Sequence, residues 1–128
     1  MFERHRICKN PDCMESFEAI SPLADCCHKH GKDTCKNRKN YLRKLAIKAI
    51  GKNASSKALW SYMVLKCLLD KREIRPTPEL LTKMRLDFKS FGQPIPYKKD
   101  DTKSVLPIGN LGLLKIDDDN LTIVKTNL

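Results

Sequence analysis

Five of the chain's six cysteines fall within its first 35 residues: Cys8, Cys13, Cys26, Cys27 and Cys35. Only Cys67 lies elsewhere, inside an apolar run. Between the N-terminal cysteines the sizeable apolar groups are Phe17, Ile20 and Leu23. A segment of about 40 residues with so little to bury does not hold itself together without a metal, a disulfide or a partner. The thiols are therefore crowded where a staple is needed.

The chain opens Met-Phe-Glu-Arg-His-Arg, with no apolar signal region. No apolar run approaches the ~20 residues that span a bilayer. A cytoplasmic protein without membrane association is expected. Thiols stay reduced in that compartment, so clustered cysteines are expected to ligate a metal before they pair as disulfides.

The ligand spacing is Cys8-Lys-Asn-Pro-Asp-Cys13, thirteen residues, Cys27, then seven residues to Cys35. Zinc takes four sulfur or nitrogen ligands in a tetrahedron. Cys8 and Cys13 flank an Asn-Pro-Asp turn suited to a knuckle. Cys35 falls at a helix start, where the helix dipole favours thiolate over thiol. The preferred set is Cys8, Cys13, Cys27 and Cys35, holding one Zn2+. Cys26, His28 and His30 are alternates for the third position. Four protein ligands leave no place for a water nucleophile, so the expected role is structural.

The formal net charge is +10, and residues 36–52 contribute +7 of it with no acid among them. Such clustering attracts polyanions. Lys36, Arg38, Lys39, Arg43, Lys44 and Lys48 are the expected phosphate contacts, and nucleic acid the expected partner. The alternative is a solvated basic face on a zinc-scaffolded protein-interaction module. There is no phosphate-cradling glycine loop, no His-Glu-x-x-His and no nucleophile elbow. No enzyme activity and no small-molecule substrate are expected.

The remainder predicts an α+β chain. Tyr41, Leu42, Leu45, Ala46, Ala49 and Ile50 recur at helical spacing, and Gly51 stops that helix. A second helix is expected from Ser55 to Lys71, apolar around most of its circumference. Thr77, Pro78 and Glu79 make a third helix start. Beyond Gly92, Val105 to Ile108 reads as a strand. Leu111 to Ile116 and Leu121 to Lys125 read as a C-terminal β-hairpin around the turn-rich Asp117-Asp118-Asp119-Asn120. Two units are expected, 1–52 and 53–128, packed together or hinged at the Gly51–Asn53 junction.

Thr34-Cys35-Lys36-Asn37-Arg38-Lys39-Asn40-Tyr41 resembles the Cys-Arg-Asn-Arg-x-x-Tyr segment of small, uncharacterised treble-clef zinc-ribbon proteins of Bacteroidetes type. Leu86, Phe88 and Phe91 resemble a Leu-x-Phe-x-x-Phe motif that precedes a closing sheet in some of them. The resemblance covers about two thirds of the chain. It implies a treble-clef-like zinc ribbon leading into a basic helix, a zinc ion and binding to nucleic acid, but no activity. The seven residues between Cys27 and Cys35 depart from the two or three usual there.

Overall fold

The computed structural model describes residues 3–117 and 120–126. The chain is α+β, with two antiparallel sheets and three α-helices among the described residues. Strands β1 (His5–Ile7) and β2 (Ser16–Glu18) form the first sheet, with Ile7 opposite Ser16. Helix α1 runs Thr34–Ile50, α2 Ser56–Asp70 and α3 Pro78–Lys83. A 3-10 turn, Phe88–Ser90, leads into the second sheet.

The helix boundaries follow local chemistry. The Ser55 hydroxyl accepts the Ala58 N–H at 3.1 Å, and Thr77 accepts the Leu80 N–H at 3.1 Å ahead of Pro78. Each cap satisfies a donor that the first helical turn leaves without a partner. At the other end of α1 the Gly51 N–H reaches the Ile47 carbonyl with φ at 99°. A side chain is poorly tolerated at that angle.

The main core gathers around α2. Leu59, Met63, Val64, Leu65, Cys67 and Leu68 are buried there, as expected for a helix apolar on most faces. Leu42 and Ala46 of α1 join this cluster with no exposure. The apolar stripe of α1 is narrower than its sequence pattern, because α1 packs on one side only. Leu45, Ala49 and Ile50 are half-buried, and Tyr41 is 48% exposed beneath the Arg38 guanidinium at 5.3 Å. Leu81 and Leu86 close one end of the core, and Ile108, Leu111, Leu113 and Ile123 bring the sheet onto it. The core thus draws on residues from both sides of residue 52.

The expected C-terminal hairpin is part of something larger. The second sheet has four strands in the order β3 (Ile95–Tyr97), β4 (Asp100–Ile108), β5 (Leu111–Lys115) and β6 (Leu121–Lys125). Strand β4 begins five residues before the expected Val105, and β3 was not anticipated. Proline in β3 and the charged run Lys98 to Asp101 disguise both. Pro96 is tolerated because β3 is an edge strand. Gly109 and Asn110 turn β4 into β5, with Gly109 at φ 59°. That turn docks on the end of α1: a Cβ on Gly109 would lie 2.8 Å from an Ile50 methyl. The Tyr62 hydroxyl donates to the Asn110 side chain at 2.6 Å, tying α2 to the same turn. In the acidic turn the Asn120 amide donates to both Asp117 carboxylate oxygens at 2.8 Å. Asp118 and Asp119 lie outside the described residues.

Candidate metal centre

The Asn-Pro-Asp turn folds as the sequence expects. Cys13 and Met14 both donate their N–H groups to the Asn10 carbonyl, at 2.9 and 3.1 Å. The Asn10 side chain accepts the Asp12 N–H at 3.1 Å. This knuckle caps the β1–β2 hairpin, whose ladder continues through the Cys8 N–H to the Glu15 carbonyl at 2.9 Å. Cys8 and Cys13 are thereby held at one end of the hairpin.

The place of the third sulfur is set by the loop that returns from β2. The Lys9 N–H donates to the Asp25 carbonyl at 2.9 Å, drawing residues 25–27 against the knuckle. The Cys27 N–H then points at the Cys8 sulfur, 3.5 Å away. Cys27 Sγ lies 3.6 Å from Cys13 Sγ and 3.8 Å from Cys35 Sγ. Helix α1 begins at Thr34 and carries Cys35 in its first turn.

The Sγ atoms of Cys8, Cys13, Cys27 and Cys35 all lie within 4.8 Å of one another. Four thiolates 2.3 Å from a zinc ion at tetrahedral angles stand ~3.8 Å apart. The Cys27–Cys13 and Cys27–Cys35 separations match that edge length, and the four cysteines can hold a metal ion. Cys8, Cys27 and Cys35 are buried, and Cys13 is half-buried.

The alternates fall outside this tetrad. Cys26 is buried beside it, its thiol pushed up to about 12 by burial and by the neighbouring Asp25 carboxylate. His28 is exposed. His30 Nε2 pairs with Glu15 Oε2 at 2.9 Å, on the open side of the cluster. With Cys13, Glu15 and Cys27 it forms a second, more exposed ligand group that shares two sulfurs with the first.

The thiols resist ionising together. Burial, then Cys27 and Cys8, hold the Cys13 thiol well above its ordinary value. The same causes raise Cys35, against a hydrogen bond from Asn10. For Cys27, burial is outweighed by hydrogen bonds from the Lys29 backbone and from Cys13, Cys35 and Cys8, and its pKa is lowered. A divalent cation resolves this conflict by displacing the protons.

Little else holds the segment. Beyond the cysteines, Phe17 is the only hydrophobic residue packed against the sulfur cluster among the described residues. Ile20 and Leu23 are 85% and 91% exposed. Hydrogen bonds to backbone do part of the work: Arg6 reaches the Pro22 and Ala24 carbonyls, and Lys29 that of Ser16. Lys71 pairs with Asp12, fastening the knuckle to the end of α2.

The basic helix is only partly available. Arg38 donates to Asp70 on α2 at 3.0 Å, and Lys39 to Asp25 at 2.7 Å. Lys39 holds the Asp25 carboxyl below its usual range, against burial, which raises it. These two side chains are committed within the fold. Lys36, Arg43, Lys44 and Lys48 are exposed, with no ion pair to an acid among the described residues. At ~100° per residue, Lys36 and Arg43 share one ridge, and Lys44 and Lys48 share another.

No helix among the described residues is long and apolar enough to cross a membrane. Comparison of the chain with protein-family models, with curated proteins and with solved structures returns no match.

Proposed function

We propose that this chain is a structural-zinc protein that binds nucleic acid through α1. In this reading Cys8, Cys13, Cys27 and Cys35 ligate one Zn2+, and the N-terminal segment is a treble-clef-like zinc ribbon of the small bacterial type it resembles. The ion neutralises thiolates and fixes the start of α1, and no chemistry is assigned to it.

One observation carries the nucleic-acid part. The helix that begins at the cysteine cluster presents Lys36, Arg43, Lys44 and Lys48 to solvent, with no acidic residue along its length. Cations so placed neutralise phosphates and release counterions, giving affinity with little sequence preference. Titrating labelled oligonucleotides across salt tests this. Four phosphate contacts give log K against log[salt] a slope of about −3, so affinity falls roughly fiftyfold from 50 to 200 mM salt. Absence of binding at 50 mM salt rejects the reading.

A second reading, a zinc-scaffolded protein-interaction module, draws on Ile20 and Leu23, nearly fully exposed on the loop after β2. It expects self-association or partner capture that Leu23→Ser abolishes, measured by light scattering.

A further inference from the structure

A cleft of about 760 Å3 opens where the knuckle, α1, α2 and the turn after α3 meet. Its apolar lining includes Met14, Trp60, Met63 and Leu86. Lys9, Arg43, Lys57 and Arg85 are exposed around it. Of the other charged groups there, Lys39 and Asp25 neutralise each other, and Asp87, which accepts from Ser90 at 2.8 Å, keeps its charge near Lys57, one anion against four cations. An excess of cations is left over an apolar floor.

We propose that this cleft receives an unpaired nucleotide of a single-stranded nucleic acid, its base against Trp60 and its flanking phosphates on Arg43, Lys57 and Arg85. The proposal rests on the nucleic-acid reading above and names the strand class and the seat. An apolar, aromatic floor beside a cationic rim matches the two halves of a nucleotide, and stacking plus phosphate contact is how single strands are held without sequence preference. The volume lies within the ~300–1,000 Å3 of small-ligand sites. A duplex keeps its bases paired inside and offers none to a recess, whereas a single strand can splay one out.

Two features prepare the seat. The Trp60 Nε1–H donates to the Met84 carbonyl at 2.9 Å, which fixes the indole before any ligand arrives. Arg43 belongs both to the cleft and to the exposed ridge of α1, one face with Lys36, so a strand on that ridge leads into the recess.

Arg85 supplies a discriminating test. It follows the end of α3 at φ 61°, with its N–H on the Thr82 carbonyl and the Leu86 N–H on the Leu81 carbonyl. Glycine is the favoured residue at such a left-handed helix end. Arg72 holds the same position after α2, at φ 62°, with the Glu73 N–H on the Leu68 carbonyl, and it does not line the cleft. Arg85→Gly and Arg72→Gly therefore remove the same charge and relieve the same backbone strain, but only one touches the proposed seat.

Trp60 is the only tryptophan, so its emission reports the cleft directly. The whole 128-residue chain, metal-bound, is titrated with an oligothymidylate of about 15 nucleotides and with a duplex of equal length. The expected result is quenching of Trp60 by the single strand, with the midpoint seen by anisotropy, and weaker binding of the duplex. Arg85→Gly lowers single-strand affinity about fivefold, the upper end of an exposed ion pair's worth, while its melting temperature holds or rises. Arg72→Gly keeps affinity within about twofold, since long-range charge is screened. If both nucleic acids bind equally, Trp60 emission stays unchanged and the two variants match, the cleft proposal is overturned and the nucleic-acid reading stands. If neither binds at low salt, both fall.

Discussion

Stripping the metal with a chelator under reducing conditions is expected to unfold residues 3–33 and leave the helix–sheet core standing. The N-terminal segment buries Cys8, Cys26 and Cys27, with the half-buried Cys13 and Phe17 packed against them, and exposes Ile20 and Leu23 almost fully. Zinc binding of ~10–16 kcal/mol is of the size that folds such a segment, and no apolar burial there replaces it. The main core is separate, with Leu42, Leu65, Leu81 and Leu113 at or below 1% exposure. Hydrogen exchange reads both parts at once. The Cys8, Lys9, Ala19 and Cys27 amides, bonded within the segment, should lose protection, while Leu65 and Leu113 keep theirs. Cys27→Ser should reproduce the effect. Cys26→Ser should not, because Cys26 stands outside the tetrad. Unchanged exchange at Cys8 and Cys27 after complete metal removal would refute the stapling role.

The second large effect concerns α1. Reversing Lys36, Arg43 and Lys44 to glutamate together should weaken oligonucleotide binding about a hundredfold or more at low salt, since three phosphate contacts are lost and three repulsions added. All three side chains are exposed. The fold should survive, because the buried seam of α1 is Leu42 and Ala46. Arg38→Gln serves as contrast. It removes the 3.0 Å bond to Asp70, so it should lower stability slightly and leave affinity nearly intact. As large a loss per unit of charge in Arg38→Gln as in the triple reversal, which changes the net charge by six, would show that net charge, not this face, governs binding.

Much of the architecture was legible because its signals are local. Thr77 caps its helix as the sequence indicates, and of Asn53 and Ser55, either of which can cap α2 by sequence, Ser55 does so. Cys8 and Cys13 were readable from one turn, and Cys35 from one helix start. The third sulfur was harder. Cys26 and Cys27 are adjacent and chemically identical, and the choice between them depends on the Lys9–Asp25 backbone bond, a contact between segments. The same limit applies to the basic helix. Spacing places Arg38 and Lys39 on α1 but does not reveal Asp70 and Asp25 opposite them. Strand β3 was hidden by Pro96, permissible only because the strand sits at an edge. The cleft joins five separated segments, so no pattern along the chain announces it.

X-ray absorption at the zinc edge, on protein purified under reducing conditions, tests the central claim most directly. The account predicts one zinc per chain with four sulfur neighbours at ~2.3 Å and no nitrogen or oxygen in the shell. Folded, metal-free protein, or a shell in which nitrogen or oxygen replaces a sulfur, would contradict it.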